Sequence, residues 1–261
     1  MTATRGSLTD FEKELYHRNI QIPEVGEEGQ LKLLGSRVLI VGLGGLGSPA
    51  LTYLAACGIG EIGIADGDRV ELSNLQRQIL HGREDVGSDK TASAARSITR
   101  LRPDLRLTTY PCRITEANAP EIIAPYDFVI EATDNFASKF LVSDACVRLG
   151  KAYSHAGILG MFGQTMTVVP GKGPCYRCVF DSIPPPGAVP TTSEAGVLGV
   201  VPGVLGAIQA AEAIKFLLNR GRLLVGRLLT WDALSMTFRE VRLPREKRCG
   251  VCAMLGATMM D

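Results

Sequence analysis

"RVLIVGLGGLG", Arg37 to Gly47, joins a β-branched apolar run to a G-x-G-x-x-G turn at Gly42, Gly44 and Gly47. A short apolar run closed by glycine reads as a buried strand. The next segment, "LGSPALTYLAACG", reads as an apolar helix. Strand, glycine turn and helix in that order make half of a nucleotide-binding βαβ unit. Glycines admit a phosphate close to the backbone, and the helix N-terminus offers N–H donors and a positive dipole end. "EIGIAD" (Glu61–Asp66) reads as the second strand and ends on Asp66, 19 residues after Gly47, where an acidic side chain takes ribose hydroxyls. Taken alone this says nucleotide, with NAD as the default.

The alternation continues outward. "SDKTASAARSITRL" (Ser88–Leu101) has a helical pattern, "LRLTTY" alternates as a strand, and "EANAPEIIA" is a short helix. "DFVIEAT" (Asp127–Thr133), "NFASKFLVSDACVRLG" and "KAYSHAG" then read as strand, helix and strand. Upstream, "LTDFEKELYHRNI" (Leu8–Ile20) reads as an amphipathic helix capped by Thr9, with Leu8, Phe11, Leu15 and Ile20 near one face. From about Gly160 the rhythm changes. A strand "GQTMTVV", "GKGPCYRC", a Pro- and Ser/Thr-rich loop over Asp181–Glu194, a helix "GAIQAAEAIKFLLNRG" and two alternating strands, "GRLLTWDA" and "MTFREVRL", follow. The expectation is a single α/β domain. Its Rossmann-like, mainly parallel sheet is flanked by helices and runs on into an antiparallel C-terminal half. We divide it into a helical arm (1–30), a nucleotide half (31–157) and a C-terminal half (158–261).

The chain has 261 residues, 46% hydrophobic and 21% charged, with a net charge of +1. That balance gives no long-range field for nucleic acid or an anionic membrane. The N-terminal segment has neither signal-peptide nor transit-peptide character. The most apolar run, "AGVLGVVPGVLGAI", holds four glycines and a proline and reads as core rather than a membrane span. The reading is a soluble, cytoplasmic protein.

Three features pull away from NAD. "SNLQRQ" (Ser73–Gln78) sets Arg77 shortly after the acidic strand end, Lys90 begins a helix, and Asp134 and Asn135 follow the fourth strand. Cations there suit a triphosphate and an aspartate suits Mg²⁺; hydride transfer needs neither. The bland alternatives are surface charges for Arg77 and Lys90, and a helix cap for Asp134 in "TDNF". "GREDVGSDKT" imitates a P-loop, but Ser88 and Asp89 separate Gly87 from Lys90 and no convincing strand precedes it.

"VLIVGLGGLGSPA", "DGDRVELSNLQRQILH", "VGSDK", "EATDN", "CYRC", "EAGVLG" and "CGVC" together resemble the MoeB/ThiF adenylyltransferases, relatives of the adenylation half of ubiquitin-activating enzymes. The resemblance runs over nearly the whole chain. It implies an ATP site in which Gly45 contacts the nucleotide and Asp66 the ribose. It sets Ser73, Asn74, Leu75, Gln76, Arg77 and Lys90 along the nucleotide, and Asp134, with Asn135 beside it, on Mg²⁺. It implies a homodimer in which Arg18, in "YHRN", serves the neighbouring subunit's site. The implied substrate is a small ubiquitin-fold sulfur carrier ending in Gly-Gly. Its carboxylate is adenylated, and a separate donor supplies the sulfur. The rivals are an adenylating enzyme of tRNA modification, an NAD-dependent oxidoreductase and a non-catalytic scaffold. Some relatives carry a cysteine just before "AGV"; here Thr192 takes that place, which implies no persulfide or thioester there.

The seven cysteines are an odd number, which argues against a disulfide framework. Cys57, Cys112 and Cys146 fall in regular patterns and read as small buried side chains. Cys175, Cys178, Cys249 and Cys252 form two C-x-x-C pairs, the thiolate set of a closed Zn²⁺ site. The 70 residues between the pairs exceed a compact zinc ribbon, and a thioredoxin-like redox pair is the alternative. The resemblance favours structural zinc.

Overall fold

The computed structural model describes residues 6–185 and 187–253. The N-terminal arm is two short helices, α1 (Asp10–Leu15) and α2 (His17–Ile20), followed by α3 (Gly26–Gly35). Thr9 caps α1 in a reciprocal box with Glu12. The expected single helix breaks at Tyr16, and the expected apolar face holds at Leu8 and partly at Ile20 but not at Phe11 and Leu15. Leu8, Glu12 and Tyr16 turn inward, while Phe11 and Leu15 stay exposed. The inward stripe has i, i+4 spacing, and the Tyr16 ring anchors it under the Arg102 guanidinium, 5.7 Å from the ring centre.

The nucleotide half then alternates as expected. It runs β1 (Arg37–Val41), α4 (Gly47–Ala56), β2 (Glu61–Ala65), α5 (Lys90–Leu101), β3 (Arg106–Tyr110), α6 (Ala119–Ile123), β4 (Phe128–Glu131), α7 (Phe136–Arg148) and β5 (Ala152–Leu159). After β6 (Phe162–Val168) come the short α8 (Tyr176–Val179) and α9 (Thr192–Ala195). Then follow α10 (Val200–Leu218), β7 (Arg227–Asp232) and β8 (Thr237–Arg242). All eight strands form one sheet in the order β3-β2-β1-β4-β5-β6-β7-β8. The first five run parallel and the last three are added antiparallel.

Both faces of the sheet are covered, so the central strands alternate between two apolar layers. Val38 and Ile40 join the layer shared with α4, α5 and α10; Leu39 and Val41 join the layer shared with α6 and α7. α10 starts six residues earlier than its pattern suggests and absorbs part of the apolar run. Pro202 falls in its first turn, where a proline costs no helical hydrogen bond. Gly206 lets the helix lie on the backbone of α4's entry: a Cβ there would stand 2.3 Å from the Leu46 carbonyl. Among the described residues α10 is the one helix long and apolar enough to cross a membrane. It instead packs against α4, β4, β5 and β6. Gln209 fixes its register by donating from Nε2 to the carbonyls of Glu131 and Ser154, each at 3.0 Å.

Candidate active site

β1 connects to β2 on one side and neighbours β4 on the other, so their carboxyl ends diverge at a topological switch point. A cavity of about 540 Å³ opens there, large enough for a nucleotide. Its floor is the glycine turn. Gly42 has φ +96°, and a Cβ on it would stand 2.6 Å from the Ala132 carbonyl oxygen; one on Gly47 would stand 1.9 Å from that of Gly42. These two glycines close the turn against the sheet. Gly44 faces the cavity, where an added Cβ would meet only the Gln78 amide at 3.6 Å, so a ligand can approach its backbone. Gly45 also lines the cavity and packs against Pro202.

Asp66 lines the cavity at the end of β2. One carboxylate oxygen accepts the Leu43 N–H at 2.7 Å and the other the Asp68 N–H at 2.8 Å. It thus tethers the glycine turn. A carboxylate has about four acceptor positions, so lone pairs remain for hydroxyls.

Lys90 opens α5 and is 7% exposed, which removes the surface-charge reading. Its ammonium lies 3.5 Å from the Asp68 carboxylate, whose other oxygen accepts from Arg113 at 2.9 Å. Burial opposes the charge of Asp68, but the Arg113 hydrogen bond and the Lys90 charge win and hold its carboxyl below the usual range. Arg77 also lines the cavity, its guanidinium donating to the Ser73 carbonyl at 3.1 Å. Sequence reasoning missed Asp68 and Arg113. Asp68 lay within the quoted "DGDRVE" segment, whereas Arg113 follows β3 with no pattern to mark it.

Asp134 lies at the cavity wall after β4. The helix cap is its neighbour: Asn135 Oδ1 accepts the Ser138 N–H at 2.8 Å. Asp134 is therefore not used as a cap, and among the described residues its carboxylate has no cationic partner. It presents an anionic oxygen donor to the cavity, the hard donor that Mg²⁺ prefers. Just beneath, sequence reasoning missed a buried cluster. Glu131, wholly buried at the end of β4, takes the Thr133 N–H at 2.9 Å and the Thr133 hydroxyl. Its other oxygen meets Lys139 at 3.2 Å and His155 Nδ1 at 2.7 Å. Burial alone would raise the Glu131 pKa, but Lys139 and His155 hold it down to about 2. No spacing rule joins these three, because β4, α7 and β5 meet only in the fold.

Ser73, Asn74, Leu75 and Gln76 do not line the cavity; they build the turn that delivers Arg77. Asn74 Oδ1 accepts the Glu71 N–H at 3.3 Å, and the Asn74 carbonyl accepts the Arg77 N–H at 3.0 Å. Arg18 is exposed on α2 and takes no part in its own chain's cavity. Thr192, the first residue of α9, does line the cavity, beside Thr191, which caps that helix. Cys146 is buried as expected, but Cys57 and Cys112 are only half-buried, and Cys112 reaches the cavity wall. It lies past the end of β3, where the chain has left the regular pattern.

The two C-x-x-C pairs converge. Sγ–Sγ distances are 3.8 Å for Cys175–Cys178, 3.5 Å for Cys175–Cys249 and 3.4 Å for Cys178–Cys252. All four sulfurs lie within 4.8 Å of one another. A tetrahedral ion with Zn–S bonds of about 2.3 Å sets sulfurs about 3.8 Å apart, so the donor set fits Zn²⁺. Burial opposes a Cys249 thiolate, yet the Cys252 and Val251 N–H groups bring its thiol down to about 7, while burial pushes Cys175 up.

A family model described as the ThiF family matches residues 16–251. The chain belongs to the ThiF family. It is 48% identical over 94% of its length to a sulfur carrier protein adenylyltransferase of Thermus thermophilus, covering 92% of that protein. It is 46% identical over 98% of its length to the SAMP-activating enzyme E1 of Haloferax volcanii, covering 94%. Against the longer adenylyltransferase and sulfurtransferase MOCS3 of Drosophila sechellia it is 45% identical over 96% of its own length and 56% of that protein's. Among solved structures, Escherichia coli MccB with ATP superposes with a TM-score of 0.80 at 26% identity, over 92% of this chain and 74% of that one. The MccB structure thus shares the overall fold described above.

Proposed function

We propose that this ThiF-family chain is an adenylyltransferase. It uses ATP to activate the C-terminal carboxylate of a small ubiquitin-fold sulfur carrier ending in Gly-Gly. The observation that carries this reading is the convergence, at one switch point, of a glycine turn, two cations and an aspartate left out of helix capping. Relatives 48% and 46% identical, matched over 92% and 94% of their lengths, are named for this class of reaction.

The chemistry asks little of the protein beyond placement. A carboxylate is ionised at neutral pH, so no general base is needed. Its oxygen bonds to the α-phosphorus of ATP, the bond from that phosphorus to the bridging oxygen of the β-phosphate breaks, and pyrophosphate leaves with the electron pair. An acyl adenylate remains, from which a separate sulfur donor displaces AMP. Two anions must approach each other, and extra negative charge gathers on the phosphate oxygens. Arg77 and Lys90 offset that charge. Asp66 takes the ribose, and the glycine turn lets the phosphates lie against the backbone. Mg²⁺ held at Asp134 would supply further charge neutralisation on the phosphates. Zn²⁺ on the four cysteines would be structural, since four thiolates leave no open position. We place the enzyme in the cytoplasm as a homodimer.

The test is isotope exchange between pyrophosphate and ATP with a purified diglycine-ended ubiquitin-fold protein, with intact-mass detection of AMP on that protein. Exchange only with an intact C-terminal carboxylate supports the reading. Tight NAD binding without exchange overturns it.

A further inference from the structure

Glu131, Lys139 and His155 form a buried ionic cluster that the chemistry above does not use. Glu131 is fully buried, His155 is 1% exposed and Lys139 7%. Burying three ionisable groups is costly, and a pair kept in such a place must be satisfied at every donor and acceptor. The demand is met. Lys139 Nζ donates to Glu131 and to the Ala156 carbonyl at 2.7 Å. His155 Nδ1 lies 2.7 Å from Glu131 Oε2, and the ring is wedged against Tyr176, with centroids 4.5 Å apart. Tyr176 sits between Cys175 and Cys178, and Arg177 beside it pairs with Asp144 of α7 at 2.8 Å. The carboxylate of Glu131 is thus clamped from α7, from β5 and, through the His155 ring, from the cysteine knuckle.

The free side of that carboxylate shapes the active site. Its Oε1 accepts both the backbone N–H and the hydroxyl of Thr133, two residues on. This bends the chain off β4, so that Asp134 faces the cavity and Asn135 falls at the cap of α7. We infer that Glu131, held by Lys139 and His155, is a positioning residue that fixes the Thr133–Asp134 turn for Mg²⁺–ATP. This rests on the reading of Asp134 as the metal-holding carboxylate. Groups that orient a metal-binding side chain typically contribute about 10–100-fold in metal affinity.

The measurement is the gain in ATP affinity that Mg²⁺ brings, from calorimetric titration of ATP with Mg²⁺ and with EDTA; it needs no carrier. Glu131→Leu/Lys139→Met removes both buried charges together, so neither is stranded. Thr133→Val removes only the hydroxyl contact on a half-buried side chain and keeps the fold within reach if the double variant fails. The double variant is expected to lose about tenfold or more of the Mg²⁺-dependent gain while its affinity in EDTA stays at the wild-type value. Thr133→Val should lose less, in the same direction. A merely structural cluster would lower both affinities together, and that result overturns the inference. So does an undiminished gain in either folded variant when Asp134→Asn abolishes it. If Asp134→Asn itself keeps the full gain, the reading of Asp134 fails, and the inference with it.

Discussion

Asp66 Oδ2 accepts the Leu43 N–H at 2.7 Å, so the side chain expected to bind ribose also holds the glycine turn in place. The two tasks separate by substitution. Asp66→Asn retains one acceptor oxygen for Leu43 but loses the charge, whereas Asp66→Ala leaves that N–H without its partner. Asp66→Ala should unfold about 1–3 kcal/mol more easily and also bind ATP more weakly. Asp66→Asn should lose mainly ATP affinity. Urea unfolding and calorimetry on the two variants check this; equal unfolding midpoints would remove the tethering role.

Lys90 is paired with Asp68 across 3.5 Å, and the arriving phosphates compete for the same ammonium. Lys90→Gln should cut pyrophosphate–ATP exchange by about 10²–10³-fold, as for loss of one charge-stabilising donor. Asp68→Asn frees the cation and should tighten ATP binding. Opposite signs on ATP affinity are the decisive outcome; a parallel loss in both variants would make the pair structural.

His81 links the glycine turn to α5. Its Nε2 lies 3.2 Å from the Leu43 carbonyl and its Nδ1 2.8 Å from the Ser93 hydroxyl. Burial lowers its pKa and the Lys90 charge acts the same way, against the pull of the Leu43 carbonyl. Below the ordinary value of about 6.5, the unfolded chain takes up a proton that the folded chain refuses. Stability is therefore full above about pH 6.5 and falls as pH drops towards the folded value. Urea midpoints measured between about pH 7.5 and 5.5 should fall, and His81→Gln should flatten part of that slope. An unchanged slope in the variant would show that other groups carry it.

The cysteine cluster predicts about one zinc ion per chain in freshly purified protein. Chelation should make four more thiols reactive and lower the unfolding temperature, because ligand binding free energy is folding free energy here. Metal analysis without zinc, with all four thiols alkylated at once in the native protein, would falsify this.

What the sequence made legible was what depends on local chemistry. The run Arg37–Gly47 showed its strand, turn and helix because apolar period and glycine positions act within a few residues. Lys90 and Asp134 stand out in the sequence because they sit at element ends, where open α/β sheets bind ligands, and both line the cavity. α3 went unread: "GEEGQLKLLG" has three glycines, and it is held by Gln30, whose amide donates to the Cys57 carbonyl at 3.0 Å. The Glu131–Lys139–His155 cluster was invisible for a related reason. Its members lie on three elements, and their meaning is the carboxylate they share. Phe11 and Leu15 depart from the apolar pattern because the six-residue α1 buries the Leu8–Glu12–Tyr16 stripe and leaves these two side chains outside.

Those two exposed side chains bear on the last prediction. Arg18 lies on α2, away from its own cavity, on an arm that leaves Phe11 68% exposed and Leu15 48% exposed. An apolar arm of this kind suits a two-fold contact, in which each copy lends the same residue to the other. If Arg18 serves the partner's site, Arg18→Ala and Asp134→Ala homodimers should each be inactive in pyrophosphate exchange. Mixed and allowed to exchange subunits, half the dimers become hybrids. Each hybrid holds one intact site, built from the Asp134 of one chain and the Arg18 of the other. Activity should then recover to about one quarter of wild type. Native mass spectrometry establishes the exchange independently. Hybrids in that proportion without recovered activity would confine Arg18 to the surface of its own chain.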